Sequence, residues 1–145
     1  MSEENVEVVR RVLDLWNTFF RGDLRGEAFA EASVQVVDPQ AEQIWRDERT
    51  IPGQPQHLRG LPEILRFWEQ MAGAWVELVI EPLEFTEAPD QRVVTLCRNR
   101  ARGRESGVPI VFHSRQVWTI REGRLRRLEF FRHRADALEA AGLSE

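Results

Sequence analysis

The sequence predicts a single α+β domain in which helices come first and a curved antiparallel sheet follows. The first half of the 145-residue chain repeats apolar residues at helical spacing, and positions 92–134 hold three segments of alternating apolar residues. Two polar-glycine turns, Ser106-Gly107 and Glu122-Gly123, join these segments, and such pairs between apolar runs are typical of β-hairpins. We therefore expect helices packed on one face of a meander, with residues 1–145 forming one domain.

Three helices are predicted before the meander. The first spans Asn5 to Phe20 and is followed by Gly22, which ends it. Asp23 is the expected cap of a second, shorter helix that runs to about Ala32. The third begins with Pro62 in its first turn and ends near Gly73. Together they cover one face of the sheet.

The remaining elements are shorter. Val34 to Val37 is predicted as a strand that stops at Asp38-Pro39 or is confined to a sheet edge, because proline cannot donate to a strand ladder. Positions 40–60 are predicted as mostly a long loop with a possible short strand at Ile44-Trp45. The first meander strand begins near Val76, and Ala135 to Leu143 is predicted as a closing helix.

Two-residue turns would fix the register of the meander, placing Asn99 opposite Ser114 and Gln116 opposite Glu129. Strand side chains alternate between faces, so a one-residue slip would exchange the two faces. One face then has the character of a pocket lining, a mixture of small polar groups, aromatic rings and a carboxylate: Thr95, Cys97, Asn99, Phe112, Ser114, Gln116, Trp118, Arg127, Glu129, Phe131 and His133. The other face carries Val117, Leu128 and Phe130 among arginines and is predicted to be a contact surface.

The composition excludes several kinds of chemistry. All twenty basic residues are arginine, so no lysine can form a Schiff base with a carbonyl substrate or with pyridoxal phosphate. There is no tyrosine, and the single cysteine, Cys97, excludes an internal disulfide and a thiolate-rich zinc site. The three histidines have no metal-binding spacing. We expect neither a metal nor a cofactor.

The charge is unevenly distributed. Positions 92–134 hold 12 Arg and 3 Glu, a net charge of +9, whereas the rest of the chain has 8 basic and 21 acidic residues, a net charge of −13. Arginines that are solvated or buried in a dimer are favoured over a nucleic-acid interface. With neither an apolar span nor a secretion leader in the sequence, a cytoplasmic protein without membrane or nucleic-acid partners is expected.

The order of the elements and several short motifs resemble the SnoaL-like branch of the nuclear transport factor 2-like superfamily. The motifs are Val8-Val9-Arg10-Arg11, Gly22-Asp23-Leu24, Arg59-Gly60-Leu61, Val117-Trp118-Thr119-Ile120-Arg121-Glu122-Gly123 and Ala137-Leu138-Glu139-Ala140-Ala141-Gly142-Leu143. The resemblance covers nearly the whole chain and implies a cone-shaped curved sheet around an internal pocket. The superfamily includes ketosteroid isomerases, polyketide cyclases, limonene epoxide hydrolases, dehydratases and members without a known reaction, so the fold alone does not select an activity.

The resemblance implies different roles for individual residues. Asp38-Pro39 is similar to the base of ketosteroid isomerases, although their tyrosine is absent and Gln116 stands near their second oxyanion donor. Glu129 resembles the last-strand carboxylate of limonene epoxide hydrolases, but Arg98-Asn99-Arg100 lacks their second carboxylate. The polyketide cyclases use a pocket carboxylate, a role that Glu129 with His133 could fill.

Each of these residues also has a purely structural interpretation. Asp38 before a proline is typical of a turn. Glu129 could pair with Arg127, and His133 could lie at the rim.

Two functional hypotheses follow. The first is an acid-base isomerase, cyclase or dehydratase in which Glu129 and Asp38 carry protons and a small, largely apolar molecule with a polar or carbonyl end is the substrate. Its predicted substrate-binding residues are Trp16, Asn99, Gln116, Trp118, Phe131 and His133. The second is a non-catalytic ligand-binding or dimerisation module with the same pocket. Both include a homodimer formed through the outer face of the sheet.

Overall fold

Four helices and one six-stranded sheet make up the part of the chain that the structure, a computed structural model, describes: residues 2–46 and 57–143. The helices are α1 (Ser2–Phe20), α2 (Gly26–Val36), α3 (Leu61–Ala74) and α4 (Arg134–Ala140), and the strands are β1 (Val37–Trp45), β2 (His57–Arg59), β3 (Trp75–Ala88), β4 (Arg92–Gly103), β5 (Pro109–Arg121) and β6 (Arg124–Phe131). The predicted α+β class is confirmed. No helix in these residues is long and apolar enough to cross a membrane.

The strands lie in the order β2-β1-β6-β5-β4-β3, with β1 and β6 parallel and the other neighbours antiparallel. We call the face covered by α1, α2 and α3 the inner face. It holds the main core, where Val93, Trp118 and Leu128 are fully buried. The opposite, outer face is covered in part by α4, which buries Val94 and Val117 in a second, smaller core.

The helices predicted from apolar spacing are present, with changed boundaries. α1 and α3 match their predicted spans closely, and Pro62 lies in the first turn of α3. The second helix begins at Gly26 rather than after Asp23 and extends to Val36, so the strand predicted over Val34 to Val37 was wrong except at its last residue. Phe29 and Ser33 are buried on one side of α2, and this burial favours a helix over the strand that the valines at the end of this segment prefer locally.

Pro39 was predicted to stop its strand or to confine it to a sheet edge, and both alternatives were wrong: β1 continues through Pro39 to Trp45 and lies between β2 and β6. The pairing of β1 with β6 is interrupted between Val37 and Glu42, so the missing N–H of Pro39 is not required by the ladder. The possible strand at Ile44-Trp45 is the end of β1. Of the predicted long loop, residues 47–56 lie outside the described residues, and 57–59 form β2, which pairs with β1.

The first hairpin has a longer connection than predicted. Its last pair is Arg102 with Pro109, so Asn99 lies opposite Phe112 rather than Ser114. Arg104 holds the connection against the α3–β3 junction through its Nε bond to the Gly73 carbonyl and its backbone N–H bond to the Ala74 carbonyl. The shift is two residues, so the faces predicted for β4 and β5 are unchanged.

The second hairpin has the predicted two-residue turn, with positive φ at both Glu122 and Gly123. A bulge follows it. Ile120 pairs with Leu125, but Thr119 pairs with Arg127, so β6 gains one residue and its remaining side chains exchange faces. Leu125 and Leu128 both enter the inner core because of this bulge, and their spacing of three residues in a strand is the sequence signal for it.

Candidate functional site on the inner face

A chain of hydrogen-bonded polar side chains crosses the otherwise apolar inner face on β4 and β5. Trp118 Nε1 donates to Thr95 Oγ1 over 2.8 Å, and the Thr95 hydroxyl donates to Gln116 Oε1 through a short bond. Gln116 Nε2 donates to Ser114 Oγ over 2.6 Å, and Asn99 Nδ2 donates to the same oxygen over 2.9 Å. The pairing of Thr95 with Gln116 and of Val93 with Trp118 brings these side chains side by side.

The direction of the bonds determines what the chain can do. A serine hydroxyl has two acceptor lone pairs and one O–H donor, and the lone pairs of Ser114 are both occupied by amide N–H groups. No acceptor in the described residues takes the Ser114 proton. The network therefore presents Ser114 as a hydrogen-bond donor.

Ser114 lies where the inner face becomes accessible. Trp118, at the other end of the hydrogen-bonded chain, is fully buried, whereas Ser114 is partly exposed. Phe112, the neighbouring inner-face residue of β5, is 43% exposed. Ile110, also on the inner face, is 42% exposed. An apolar surface with a polar donor at its buried end is the usual composition of a small-molecule site.

Indole rings from the helices pack over the buried end of this chain. Trp16 of α1 lies 5.3 Å from Trp68 of α3 and 5.8 Å from Trp118, between ring centroids. Asn17, which sequence reasoning missed, fixes α1 against β3: its Nδ2 donates to the Ile80 carbonyl and its Oδ1 accepts the Ile80 N–H, both over 2.8 Å. Asn17 follows Trp16 on the apolar stripe of α1, a signal that was available from its spacing to Leu13 and Phe20.

The four predicted binding residues Trp16, Asn99, Gln116 and Trp118 thus come together on the inner face. Phe131 and His133 do not. After the β6 bulge, Phe131 packs on the outer face against the smaller core, and His133 is the exposed residue before α4. Their predicted positions in the pocket were wrong because the register assumed for β6 had no bulge.

Glu129, predicted as the pocket carboxylate, lies on the outer face for the same reason. It pairs with Val117, one of the residues covered by α4, and its Oε2 accepts bonds from Arg46 Nε over 2.9 Å and from a second Arg46 nitrogen over 2.7 Å. The partner considered in the sequence, Arg127, instead lies 3.5 Å from Glu42. A carboxylate held by an arginine on the outer face does not reach the inner site.

Asp38 has a local structural contact. Its Oδ1 accepts the backbone N–H of Gln40 over 2.8 Å, a local bond that lies within β1 where its pairing with β6 is interrupted. The inner-face residues of β4, β5 and β6 that form the site and its surroundings carry no carboxylate: Val93, Thr95, Cys97, Asn99, Ala101, Ile110, Phe112, Ser114, Gln116, Trp118, Leu128 and Phe130.

Among the inner-face residues of β4, β5 and β6, the titratable group is the thiol of Cys97. The side chain is fully buried between Thr95 and Asn99 on β4, and burial raises the pKa of the thiol to about 11, partly opposed by the hydrogen bond with Thr95. A neutral thiol is a weak nucleophile, so Cys97 is a packing residue. In residues 2–46 and 57–143, no group of three His, Cys, Asp or Glu side chains is arranged to hold a metal ion.

The surface predicted for dimerisation is not assembled as expected. Leu128 and Phe130 face inward, where Phe130 stacks on Trp45 with centroids 5.0 Å apart, and Val117 is covered by α4. Dimerisation through the outer face stays a prediction, but these three residues are not its surface.

The fold is a helix-covered, curved α+β sheet, as in nuclear transport factor 2-like proteins. The family model of the SnoaL-like domain matches residues 9–128, and the chain belongs to the SnoaL-like family.

Solved structures agree on the fold. A putative SnoaL-like polyketide cyclase from Jannaschia sp. CCS1 is 17% identical, with a TM-score of 0.70 over 97% of this chain and 92% of its own. TerC, crystallised with polyporic acid, is 20% identical, with a TM-score of 0.69 over 95% and 97%. A putative polyketide cyclase from Sinorhizobium meliloti is 28% identical, with a TM-score of 0.57 over 86% and 94%. No curated protein matches the sequence.

Proposed function

We propose that the protein binds a small, largely apolar molecule that presents a hydrogen-bond acceptor, such as a ketone, and that it does so without transferring protons. The observation that carries this proposal is the hydroxyl of Ser114. Its oxygen accepts two hydrogen bonds, so its proton is left to donate, and it lies beside the exposed ring of Phe112. The apolar part of the ligand packs on Phe112 and Ile110, and its acceptor binds the Ser114 hydroxyl.

The non-catalytic hypothesis is preferred over the acid-base hypothesis because of where the predicted proton carriers lie. Glu129 is held by Arg46 on the outer face, and the Asp38 carboxylate accepts the backbone N–H of Gln40. General acid-base catalysis needs a titratable group within hydrogen-bond reach of the reacting atom. The TerC structure with polyporic acid supports small-molecule binding by a protein of this fold.

The test uses two probes that differ by one acceptor, 4-acetylbiphenyl and biphenyl. Binding is followed by tryptophan fluorescence for the native protein, Ser114→Ala and Thr119→Ala. Thr119 is the matched control because it is also a partly buried hydroxyl residue of β5, and it lies on the outer face.

We expect the native protein and Thr119→Ala to bind 4-acetylbiphenyl about tenfold more tightly than biphenyl, the value of roughly one good hydrogen bond. Ser114→Ala should lose most of this preference, since it removes the hydroxyl donor; the Asn99 and Gln116 amides that it leaves without their acceptor are set back from the ligand by the length of the missing hydroxyl. Absence of binding, or a preference for the ketone that survives in Ser114→Ala, would contradict the proposal.

A further inference from the structure

A second unsatisfied donor lies deep on the inner face, at Gln43 of β1. The side chain is 1% exposed, and its Nε2 has no hydrogen-bond partner within the described residues. Buried polar nitrogens in folded proteins nearly always have a partner, so each one without a partner calls for an explanation.

The orientation of the Gln43 amide is fixed by Trp68. The indole Nε1 of Trp68 donates to Gln43 Oε1 over 3.2 Å, and an indole nitrogen can only donate. Rotating the amide by 180° would place two donors against each other. Nε2 is therefore held as a donor that points away from Trp68.

The position of Gln43 connects it with the proposed site. Gln43 lies beside Leu128 on β6, which lies beside Trp118 on β5, the buried end of the polar chain. Ser114 is four residues from Trp118 along β5. With strand geometry of about 3.3 Å per residue and 4.8 Å per strand, Gln43 is roughly 13 Å along and 10 Å across from Ser114. The two donors lie at opposite ends of the same face.

We propose that Gln43 is a second ligand-binding residue, whose Nε2 donates to an acceptor at the far end of an elongated molecule with acceptor oxygens at both ends. This inference rests on the proposed function and extends it to a ligand class, the two-ended diketone type. The indole of Trp16, now against Trp68 and Trp118, must move away from Trp118 to admit that end of the ligand. The ligand oxygen then takes the place of the missing partner of Nε2.

The experiment compares 4,4′-diacetylbiphenyl, which has a carbonyl at each end, with 4-acetylbiphenyl. Gln43→Met removes the amide at similar size, but it also removes the acceptor of Trp68, so the variant is made in a Trp68→Phe background as well. Ile44→Met is the matched control, because this buried neighbour on β1 points to the outer face. Affinities and tryptophan fluorescence are measured for each protein, and thermal unfolding verifies the fold.

In the native protein and Ile44→Met, we expect the diketone to bind about tenfold more tightly than the monoketone and to change the indole fluorescence more strongly. Gln43→Met should bind the two ketones equally while keeping its Ser114-dependent preference for 4-acetylbiphenyl over biphenyl. In the Trp68→Phe background, the same substitution should raise Tm by about 2 to 4 °C, because it removes an amide without a partner.

The outcomes separate this inference from the proposed function. If the native protein binds 4-acetylbiphenyl but shows no preference for the diketone, or if that preference survives in Gln43→Met, the role of Gln43 is overturned and the proposed function stands. If no probe binds the native protein, both are overturned. A lower Tm of Gln43→Met in the Trp68→Phe background would show instead that the amide has a structural partner.

Discussion

The thiol of Cys97 should make the stability of this protein depend on pH in the alkaline range. Burial raises the pKa of the thiol from 9.0 to about 11 in the folded state. As the pH rises, the unfolded chain therefore loses this proton first, and deprotonation favours unfolding between the two values. The contribution of the protonated Cys97 thiol to stability is therefore fully present below pH 9 and is lost as the pH rises towards 11.

The size of the effect follows from the two pKa values. A difference of one pKa unit corresponds to 1.36 kcal/mol, so the free energy of unfolding should fall by about 1.4 kcal/mol at pH 10 and approach a total loss of about 2.7 kcal/mol above pH 11. The composition isolates this effect. With no lysine and no tyrosine in the chain, no other side chain has an ordinary pKa between about 9 and 11.5.

The assay is urea unfolding at pH 8, 9, 10 and 10.5 for the native protein and Cys97→Ser. The substitution removes the titrating thiol, and any change in packing adds the same offset at every pH. We expect the stability difference between the two proteins to shift by about 1.4 kcal/mol from pH 8 to pH 10. Parallel stability curves over this range would refute the assignment of Cys97 as a buried thiol with a raised pKa.

Two further predictions test the placement of individual side chains. Glu129→Gln should lower the free energy of unfolding by about 1 to 2 kcal/mol, because it weakens the bonds from Arg46 on the outer face. The affinity for 4-acetylbiphenyl should stay unchanged within twofold. Urea unfolding and isothermal titration measure the two quantities, and a large loss of affinity would place Glu129 in the site after all. Asn17→Ala should destabilise the protein by about 1 to 3 kcal/mol, because it leaves the N–H and carbonyl of Ile80 without their side-chain partner. The control, Thr18→Ala, removes an exposed hydrogen bond within α1 and should destabilise the protein less. Equal losses in urea unfolding would mean that Asn17 does not fix α1 to β3.

Local patterns in the sequence determined the class and order of the elements. Apolar residues at helical spacing located α1 and α3, and the Glu122-Gly123 pair located a turn whose φ values only a few residue types adopt readily. The inner position of Asn99, Gln116 and Trp118 also followed from the sequence, since a register error of two residues in the first hairpin preserves the face of every side chain.

The tertiary structure decided the position of the carboxylate and with it the character of the site. One bulge in β6, opposite Thr119 and Ile120, moved Glu129 to the outer face and Leu128 to the core, and burial of both Leu125 and Leu128 favours it. The partners of Glu129 and Gln43 were equally out of reach of local patterns, because Arg46 is 83 residues from Glu129 and Trp68 is 25 residues from Gln43 along the chain. Alternation along a strand fixes which side chains share a face only while the register continues unbroken. Contacts between distant segments decide where it breaks.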